Sequence, residues 1–212
     1  MVKIGIFGGT FNPPHVGHLR LAEEVAFLHG LSRIVFIPCF TPPHKNSQEA
    51  APAEDRLEML RQSCADNPCF EVSDIEVSFG GPSYTVNTLE IFSNDKSLEP
   101  YFIIGTDSLK EIRTWKDYEK LFSLSHFIVV KRPGVDFRTA WEKVPESLRK
   151  EFQDRGDHLL HSSSTSLIPS NVEGLHVSST LIRNLTKAGR SIRYLVRESV
   201  RQYIMERKLY QN

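Results

Sequence analysis

Two histidines, His15 and His18, stand three residues apart in the stretch GGTFNPPHVGHLRLA at residues 8–22. Side chains at this spacing share one face of a helix, so both imidazoles could donate hydrogen bonds to one polyphosphate. Gly8 and Gly9 allow a ligand to come close to the backbone. A helix that follows would direct its N–H groups and positive dipole end to the same place. The pattern favours a phosphate site over a pair of surface histidines beside a Pro-Pro turn.

A second candidate is the stretch VSSTLIR at residues 177–183. Ser178 is of a type that caps helices well. Ser179 and Thr180 add hydroxyl groups and backbone donors at the helix start, and Arg183 adds a cation one turn further on. Taken alone, the stretch could be a simple helix cap. Together with the histidine pair, it predicts a second group of donors for an anion.

These stretches must be positioned by strands and helices that alternate along the chain. Apolar, β-rich runs recur as KIGIF, RIVFIP, YFIIG and HFIVV, and helical spacing lies between them in HLRLAEEVAFLHG and AEDRLEMLRQSCA. This alternation predicts an α/β fold with a doubly wound parallel sheet and helices on both faces. In such a sheet, ligands bind at the carboxyl ends of the strands, near a switch in strand order. Residues 8–22 follow the first strand and therefore fall at that place.

The length of 212 residues predicts a single domain, residues 1–212. Gly30 is expected to end the first helix. The stretch 137–170, which includes HSSSTS, has little clear periodicity and is expected to be a peripheral insertion. A closing helix is predicted within SIRYLVRESVRQYIMERKLY.

Composition excludes several classes of protein. Lysine plus arginine equals aspartate plus glutamate at 26 each, which argues against a general nucleic-acid or anionic-membrane surface. No apolar run approaches the ~18 residues of a membrane span, and the first residues do not resemble a targeting segment, so a cytoplasmic location is expected. Cys39, Cys64 and Cys69 are odd in number and form no Cys-x-x-Cys pair, which predicts reduced, mostly buried thiols.

The two motifs also resemble those of a known family. GGTFNPPHVGH resembles the (H/T)xGH signature of nucleotidyltransferases, and VSSTLIR resembles the Ile-Ser-Ser-Thr-x-Ile-Arg segment of bacterial nicotinate-nucleotide adenylyltransferases. Further segments resemble that family in the same order: PCFTPPHKN, SYTVNTL, FIIGTDSLKEIRTW and IVVKRPG. Residues 137–170 are unmatched. Asn12 and Asn87 stand where the family commonly has aspartate, which puts a carboxylate role at those positions in doubt.

The resemblance implies a Rossmann-like fold and the transfer of AMP from ATP to nicotinate mononucleotide, which gives deamido-NAD and pyrophosphate in NAD biosynthesis. The attacking phosphate is already a nucleophile, so such an enzyme aligns two anions and needs no catalytic serine or cysteine. The sequence contains no motif for such a nucleophile. Mg²⁺ would be carried by the ATP phosphates with water, and no metal site of the protein's own is expected.

The resemblance also implies roles for individual residues. The catalytic residues would be His15, His18, Lys45 and Arg183. The ATP-binding residues would be Gly8, Gly9, Thr10, Phe11, His15, His18, Gly105, Asp107, Ser178, Ser179, Thr180 and Arg183. The residues that bind the mononucleotide would be Lys45, Thr85, Asp107, Trp115 and Arg132. Trp115 would stack on the pyridine ring, and Thr85 would help to hold the substituent of that ring.

Some of these positions have simpler interpretations. Trp115 could be a core aromatic residue, because tryptophan on a helix is usually buried for packing. Asp107 could only cap a helix that begins at Ser108. Lys45 could be a solvated loop cation, which is the usual place of a lysine.

Other functions stay open. A phosphopantetheine adenylyltransferase shares the first motif, but such chains are shorter, and here FIIGTDSL resembles a pyridine-nucleotide site. A nicotinamide-mononucleotide adenylyltransferase would bind a substrate with a carboxamide on its ring in place of the carboxylate. An aminoacyl-tRNA synthetase should show a Lys-Met-Ser-Lys-Ser-like loop and an anticodon domain, and neither is present. A sensor could bind ATP or NAD without turnover. The expected partners are ATP and nicotinate mononucleotide, with no nucleic acid and no membrane, and the chain could form a homo-oligomer.

Overall fold

The computed structural model describes residues 1–41, 50–132, 134–172 and 174–211. The strands in this part of the chain are β1 Val2–Gly9, β2 Arg33–Pro38, β3 Phe70–Val72, β4 Leu98–Gly105, β5 His126–Val130, β6 Phe152–Asp154, β7 Leu159–His161 and β8 Ser166–Ser170. They form one sheet in the order β3-β2-β1-β4-β5-β8-β7-β6.

Helices lie between most of these strands along the chain, whereas β6, β7 and β8 follow one another directly. The helices are α1 Val16–His29, α2 Ala53–Cys64, α3 Ile75–Phe79, α4 Thr85–Asn94, α5 Thr106–Lys110, α6 Tyr118–Leu124, α7 Phe137–Trp141, α8 Glu146–Arg149, α9 Ser179–Lys187 and α10 Glu198–Glu206, and a 3-10 turn covers Ile112–Thr114. Among the described residues, none of the helices has the length and apolar character that a membrane crossing requires.

The sheet confirms the predicted α/β fold, and most of its pairs are parallel. The four predicted strands are β1, β2, β4 and β5. β1 pairs in parallel with β4, β4 with β5, and β5 with β8, so that Gly5 lies opposite Tyr101 and Gly105 opposite Val130. The pairs of β6 with β7 and of β7 with β8 are antiparallel instead. Their short connections leave no room for the crossover that a parallel pair needs.

Two compact units can be distinguished in the chain. The first unit contains Met1–Gly8, Val25–Ile34 and Tyr84–Glu173, and the second unit contains Gly9–Glu24, Val35–Ser83 and Gly174–Asn212. The stretch 137–170 belongs to the first unit, where it forms α7, α8, β6, β7 and β8. The interpretation of the chain as one nucleotidyltransferase domain with a peripheral insertion stays a prediction.

The second unit is packed around an apolar cluster, which we call the α9–α10 cluster. Its buried members are Met59, Ile182, Ile192, Val196, Val200 and Ile204. The partly buried side chains of Tyr203, Leu209 and Tyr210 pack against it. The predicted closing helix is α10, and this cluster holds it in place through Val200 and Ile204.

Helix α1 ends just before Gly30, as this glycine predicts. This residue has a φ of +62°, and the N–H of Leu31 beyond it donates to the carbonyl oxygen of Ala26 at 2.9 Å. A glycine in the left-handed region followed by such a bond is the usual end of a helix. The prediction for Gly30 is therefore confirmed.

None of the three cysteines forms a disulfide, as predicted. Cys39 and Cys64 are buried, and Cys69 is exposed. Burial raises the pKa of the Cys64 thiol to about 12. This buried thiol therefore stays protonated and unreactive at neutral pH.

Candidate active site

Two hydrogen bonds between His15 and His18 close the first turn of α1. The carbonyl oxygen of His15, which precedes the helix, accepts from the N–H of His18 at 2.9 Å. In return, the backbone N–H of His15 donates to Nδ1 of the His18 ring at 3.2 Å. The second bond is one half of a capping box, in which the side chain at the third helical position satisfies the N–H of the cap residue. The three-residue spacing of the histidines is therefore also the spacing that suits a helix start.

The same contacts hold the His18 ring in one orientation and one neutral tautomer. Because Nδ1 accepts a hydrogen bond, the ring proton of the neutral imidazole lies on Nε2, which is then a donor. The ring stacks on that of His15 with centroids 3.6 Å apart, and the ring of Phe11 meets it edge-on at 5.0 Å. Gly17 leaves space for this stack, since a Cβ there would lie 3.0 Å from Nδ1 of His15. His15 is buried and His18 is partly exposed, so His18 is the more accessible donor.

The loop between β1 and α1 is tied to the start of α9 within the second unit. Oγ of Ser179 donates to the carbonyl oxygen of Pro13 at 2.9 Å. Nη1 of Arg183 donates to the carbonyl oxygen of Asn12 at 3.0 Å. The two motifs, which lie far apart in the sequence, are therefore in direct contact, and Arg183 is held beside the residues that precede the histidines.

The other hydroxyl groups at the start of α9 also have partners. Oγ of Ser178 accepts from the N–H of Leu181 at 3.1 Å, so Ser178 is the N-cap that its residue type predicts. Oγ1 of Thr180 lies 3.5 Å from Nη2 of Arg183 and accepts from it. These contacts orient the helix start and its guanidinium group.

Asn12 connects this loop to two further segments of the second unit. Its Oδ1 accepts from the N–H of Ala51 at 3.0 Å and from the hydroxyl of Tyr210 at 2.7 Å. Burial raises the pKa of the Tyr210 phenol, although the charges of Arg183 and Arg56 act to lower it, so the hydroxyl keeps its proton and donates. The position needs an oxygen acceptor, and an amide supplies one as well as a carboxylate does.

Arg56 is a buried arginine that was not among the predicted site residues. Its side chain is 1% exposed, and its guanidinium donates to the carbonyl oxygens of Thr10 at 2.8 Å, Phe40 at 2.9 Å and Ala51 at 3.0 Å. One cation therefore joins the chain after β1, after β2 and before α2. The signal was present in the sequence, because Arg56 stands at helical spacing among the apolar residues of α2, where an arginine needs partners.

In the first unit, the side chains of Asp107 and Arg132 lie over Gly105 at the end of β4. A Cβ at position 105 would lie 2.2 Å from Oδ1 of Asp107, so a larger residue would displace this carboxylate. Nε of Arg132 lies 4.0 Å from the same oxygen, and the N–H of Arg132 donates to Oγ1 of Thr106 at 3.1 Å. Because α5 begins at Thr106, Asp107 lies inside its first turn and does not cap it.

Trp115 and Thr85 lie in neighbouring segments of the first unit. Nζ of Lys116 lies 4.7 Å from the centre of the Tyr84 ring, so the residue after Trp115 contacts the residue before Thr85. Trp115 is half-buried and meets the ring of Phe102 edge-on at 6.2 Å, which leaves part of the indole accessible. Thr85 is the first residue of α4, where N–H groups and the positive dipole end favour an anion.

The predicted site residues are distributed over both units. The second unit contains Gly9, Thr10, Phe11, His15, His18, Ser178, Ser179, Thr180 and Arg183. The first unit contains Gly8, Thr85, Gly105, Asp107, Trp115 and Arg132. Lys45 lies outside the described residues. The sequence did not predict Arg56, Tyr210 or Lys116 as site residues, and only Arg56 had a local signal.

Comparisons with known proteins show which family the chain belongs to. The chain matches the cytidylyltransferase-like family over residues 6–185. It is 43% identical to a probable nicotinate-nucleotide adenylyltransferase of Desulfatibacillum aliphaticivorans, over 99% of this chain and 100% of that protein. It is also 43% identical to a protein of the same name from Geobacter sp. strain M21, over 99% and 98% of the two chains.

Solved structures show the same fold. The nicotinic acid mononucleotide adenylyltransferase of Plasmodium falciparum, solved in complex with APC and in complex with NaAD, superposes with a TM-score of 0.73 at 19% identity. The match covers 99% of this chain and 98% of that one. With the family match and the full-length relatives, the resemblance of the motifs is confirmed, and the chain belongs to the cytidylyltransferase-like family and, within it, to the nicotinate-nucleotide adenylyltransferases.

Proposed function

We propose that the chain transfers AMP from ATP to nicotinate mononucleotide and so forms deamido-NAD and pyrophosphate in NAD biosynthesis. Membership of the family supports this reaction. The structural observation that carries it is the histidine pair at the start of α1, where Nε2 of His18 is kept as a donor beside the loop that Arg183 contacts. Imidazole and guanidinium donors at a helix N-terminus suit a polyphosphate.

The reaction joins two anions. A phosphate oxygen of nicotinate mononucleotide attacks the α-phosphorus of ATP, a new P–O bond forms, and the bond to the bridging oxygen breaks, with its electron pair leaving on pyrophosphate. The nucleophile is already charged, so the protein needs to align the reactants and offset their repulsion. We assign this task to His15, His18, Lys45 and Arg183, with His18 at the transferring phosphate and Arg183 at the leaving phosphates.

Other contacts complete the proposed binding of the two substrates. The further ATP contacts are assigned to Gly8, Gly9, Thr10, Phe11, Gly105, Asp107, Ser178, Ser179 and Thr180. Trp115 would stack on the pyridine ring, and the helix start at Thr85 would hold its substituent. Lys45, Asp107 and Arg132 would also bind the mononucleotide.

ATP is proposed to enter as its Mg²⁺ complex. Within the described ranges, no three His, Cys, Asp or Glu side chains stand close enough together to hold a metal ion. The donors at the starts of α1 and α9 are imidazole, hydroxyl and guanidinium groups, which suit phosphate oxygens, whereas Mg²⁺ prefers oxygen ligands. When bound to the triphosphate, the ion would offset negative charge on the leaving group.

The proposal is tested by incubating the protein with ATP, Mg²⁺ and nicotinate mononucleotide. We expect equal amounts of pyrophosphate and deamido-NAD, measured by a coupled assay and by chromatography. Phosphopantetheine in place of the mononucleotide should give no pyrophosphate. ATP binding without any turnover would contradict the proposal and favour a nucleotide sensor.

Arg183→Ala is expected to raise the KM for ATP by about tenfold or more, because a charged donor to the leaving phosphates is lost. The Kd for nicotinate mononucleotide should change by less than about twofold on the same reasoning. Steady-state kinetics and calorimetry measure the two effects. Arg190→Ala, which removes an exposed arginine of the same unit, is the matched control. If the mononucleotide lost affinity while ATP did not, the assigned roles would be reversed.

Three expectations from the sequence stay predictions beside this proposal. Nucleic acid is not expected to be a partner, because positive and negative side chains balance. The chain could form a homo-oligomer. The reaction is expected to take place in the cytoplasm.

A further inference from the structure

Tyr210 is brought to the loop between β1 and α1 by the way α10 ends. The N–H of Lys208 donates to the carbonyl oxygen of Met205 at 3.3 Å, and the N–H of Leu209 donates to that of Ile204 at 3.0 Å. Lys208 has a φ of +53°, so these bonds form a Schellman motif with a lysine at the left-handed position. Leu209 packs on the α9–α10 cluster, which includes Ile204. This turn reverses the chain and directs it toward the loop before α1.

The Tyr210 hydroxyl contacts a residue that also holds Arg183. It donates to Oδ1 of Asn12 at 2.7 Å, and the carbonyl oxygen of the same Asn12 accepts from Nη1 of Arg183 at 3.0 Å. Asn12 is buried and stands three residues before His15. One asparagine therefore links the tyrosine, the guanidinium group and the start of α1.

We propose that Tyr210 is a positioning residue for ATP: its hydroxyl fixes Asn12, and Asn12 fixes the Arg183 guanidinium at the leaving phosphates. The inference rests on the proposed function. A guanidinium group on a long side chain loses rotamer freedom when it binds a phosphate, so an anchor that orders it beforehand improves ATP affinity. The N–H of Ala51 also donates to Oδ1 of Asn12, so loss of the hydroxyl should loosen the loop without unfolding it.

Tyr210→Phe removes only the hydroxyl, and Tyr203→Phe is its matched control. Both tyrosines pack against the α9–α10 cluster, but the Tyr203 hydroxyl donates to Oδ1 of Asp55 at 2.8 Å, outside the loop between β1 and α1. We expect Tyr210→Phe to weaken binding of a non-hydrolysable ATP analogue about five- to tenfold, with a matching rise in the KM for ATP. The KM for nicotinate mononucleotide should stay unchanged. Both variants should lower Tm by similar amounts, but Tyr203→Phe should leave ATP affinity unchanged.

A double-mutant cycle tests the path through Arg183. If Tyr210 acts by positioning this guanidinium, Tyr210→Phe should lower ATP affinity by less than about twofold in the Arg183→Ala background. Equal losses in both backgrounds would overturn the inference, and so would equal effects of Tyr210→Phe and Tyr203→Phe on ATP affinity. The analogue titration needs no second substrate. Absence of pyrophosphate with nicotinate mononucleotide would therefore contradict the proposed function, while the titration would still decide the role of Tyr210.

Discussion

His18→Ala is expected to lower kcat for pyrophosphate release by about 100-fold or more, because one preorganised donor to the transferring phosphate is removed. The donor is Nε2, whose proton is held there because Nδ1 accepts from the N–H of His15 at 3.2 Å. The ring is also fixed by the stack with His15 and by the edge of Phe11. A group so fixed has little reorganisation to undergo as charge develops on the phosphate.

The structural role of His18 can be separated from the chemical one. His18→Ala also removes the acceptor for the N–H of His15, which should cost about 1 kcal/mol of stability. His18→Glu restores such an acceptor, since glutamate is the usual residue at the third position of a capping box. We expect this variant to melt close to the parent and to be no more active than His18→Ala, because its charge repels phosphate. Recovery of turnover in His18→Glu would show that the imidazole only caps the helix.

The second large effect expected is a preference for nicotinate over nicotinamide mononucleotide of at least tens of fold in kcat/KM. The two substrates differ only in the substituent of the pyridine ring, which is a carboxylate in nicotinate mononucleotide and a carboxamide in nicotinamide mononucleotide. The N-terminal N–H groups of α4 and the hydroxyl of Thr85 can all donate to a carboxylate, and Lys116 beside Tyr84 adds a positive charge to this segment. An amide NH₂ facing these donors would leave groups unpaired, at about 1–3 kcal/mol for each. Kinetics with both mononucleotides at fixed ATP and Mg²⁺ measure the ratio.

The role of Trp115 in this preference has a matched control in Trp141. Both tryptophans belong to the first unit and are partly buried. Each meets a phenylalanine ring edge-on. The ring centroids are 6.2 Å apart for Trp115 and Phe102, and 5.2 Å apart for Trp141 and Phe152. Trp115→Ala should raise the KM for nicotinate mononucleotide, whereas Trp141→Ala should affect stability alone. An unchanged KM in Trp115→Ala would make this tryptophan a packing residue. Equal efficiency with both mononucleotides in the parent would contradict specificity for the acid.

The sequence alone determined the features that depend on neighbouring residues. The apolar runs predicted β1, β2, β4 and β5, Gly30 predicted the end of α1, and Ser178 predicted the cap of α9. Each of these depends on a few consecutive residues, whose backbone preferences and hydrogen bonds are local. The spacing of His15 and His18 belongs to this class as well, because one helical turn brings them together. The family could also be inferred, since its motifs are short and local.

Only the tertiary structure decided the contacts that join distant parts of the chain. Tyr210 bonds to Asn12 across 198 positions, and Arg183 bonds to the same residue across 171. Arg56 donates to the carbonyl oxygens of Thr10 and Phe40, which lie 46 and 16 positions away in the sequence. Such pairs depend on how helices pack around the α9–α10 cluster. The residues next to a side chain in the sequence do not predict that packing. The residue types able to bind phosphate are therefore readable from the sequence, but the side chains that hold them in place depend on the packed fold.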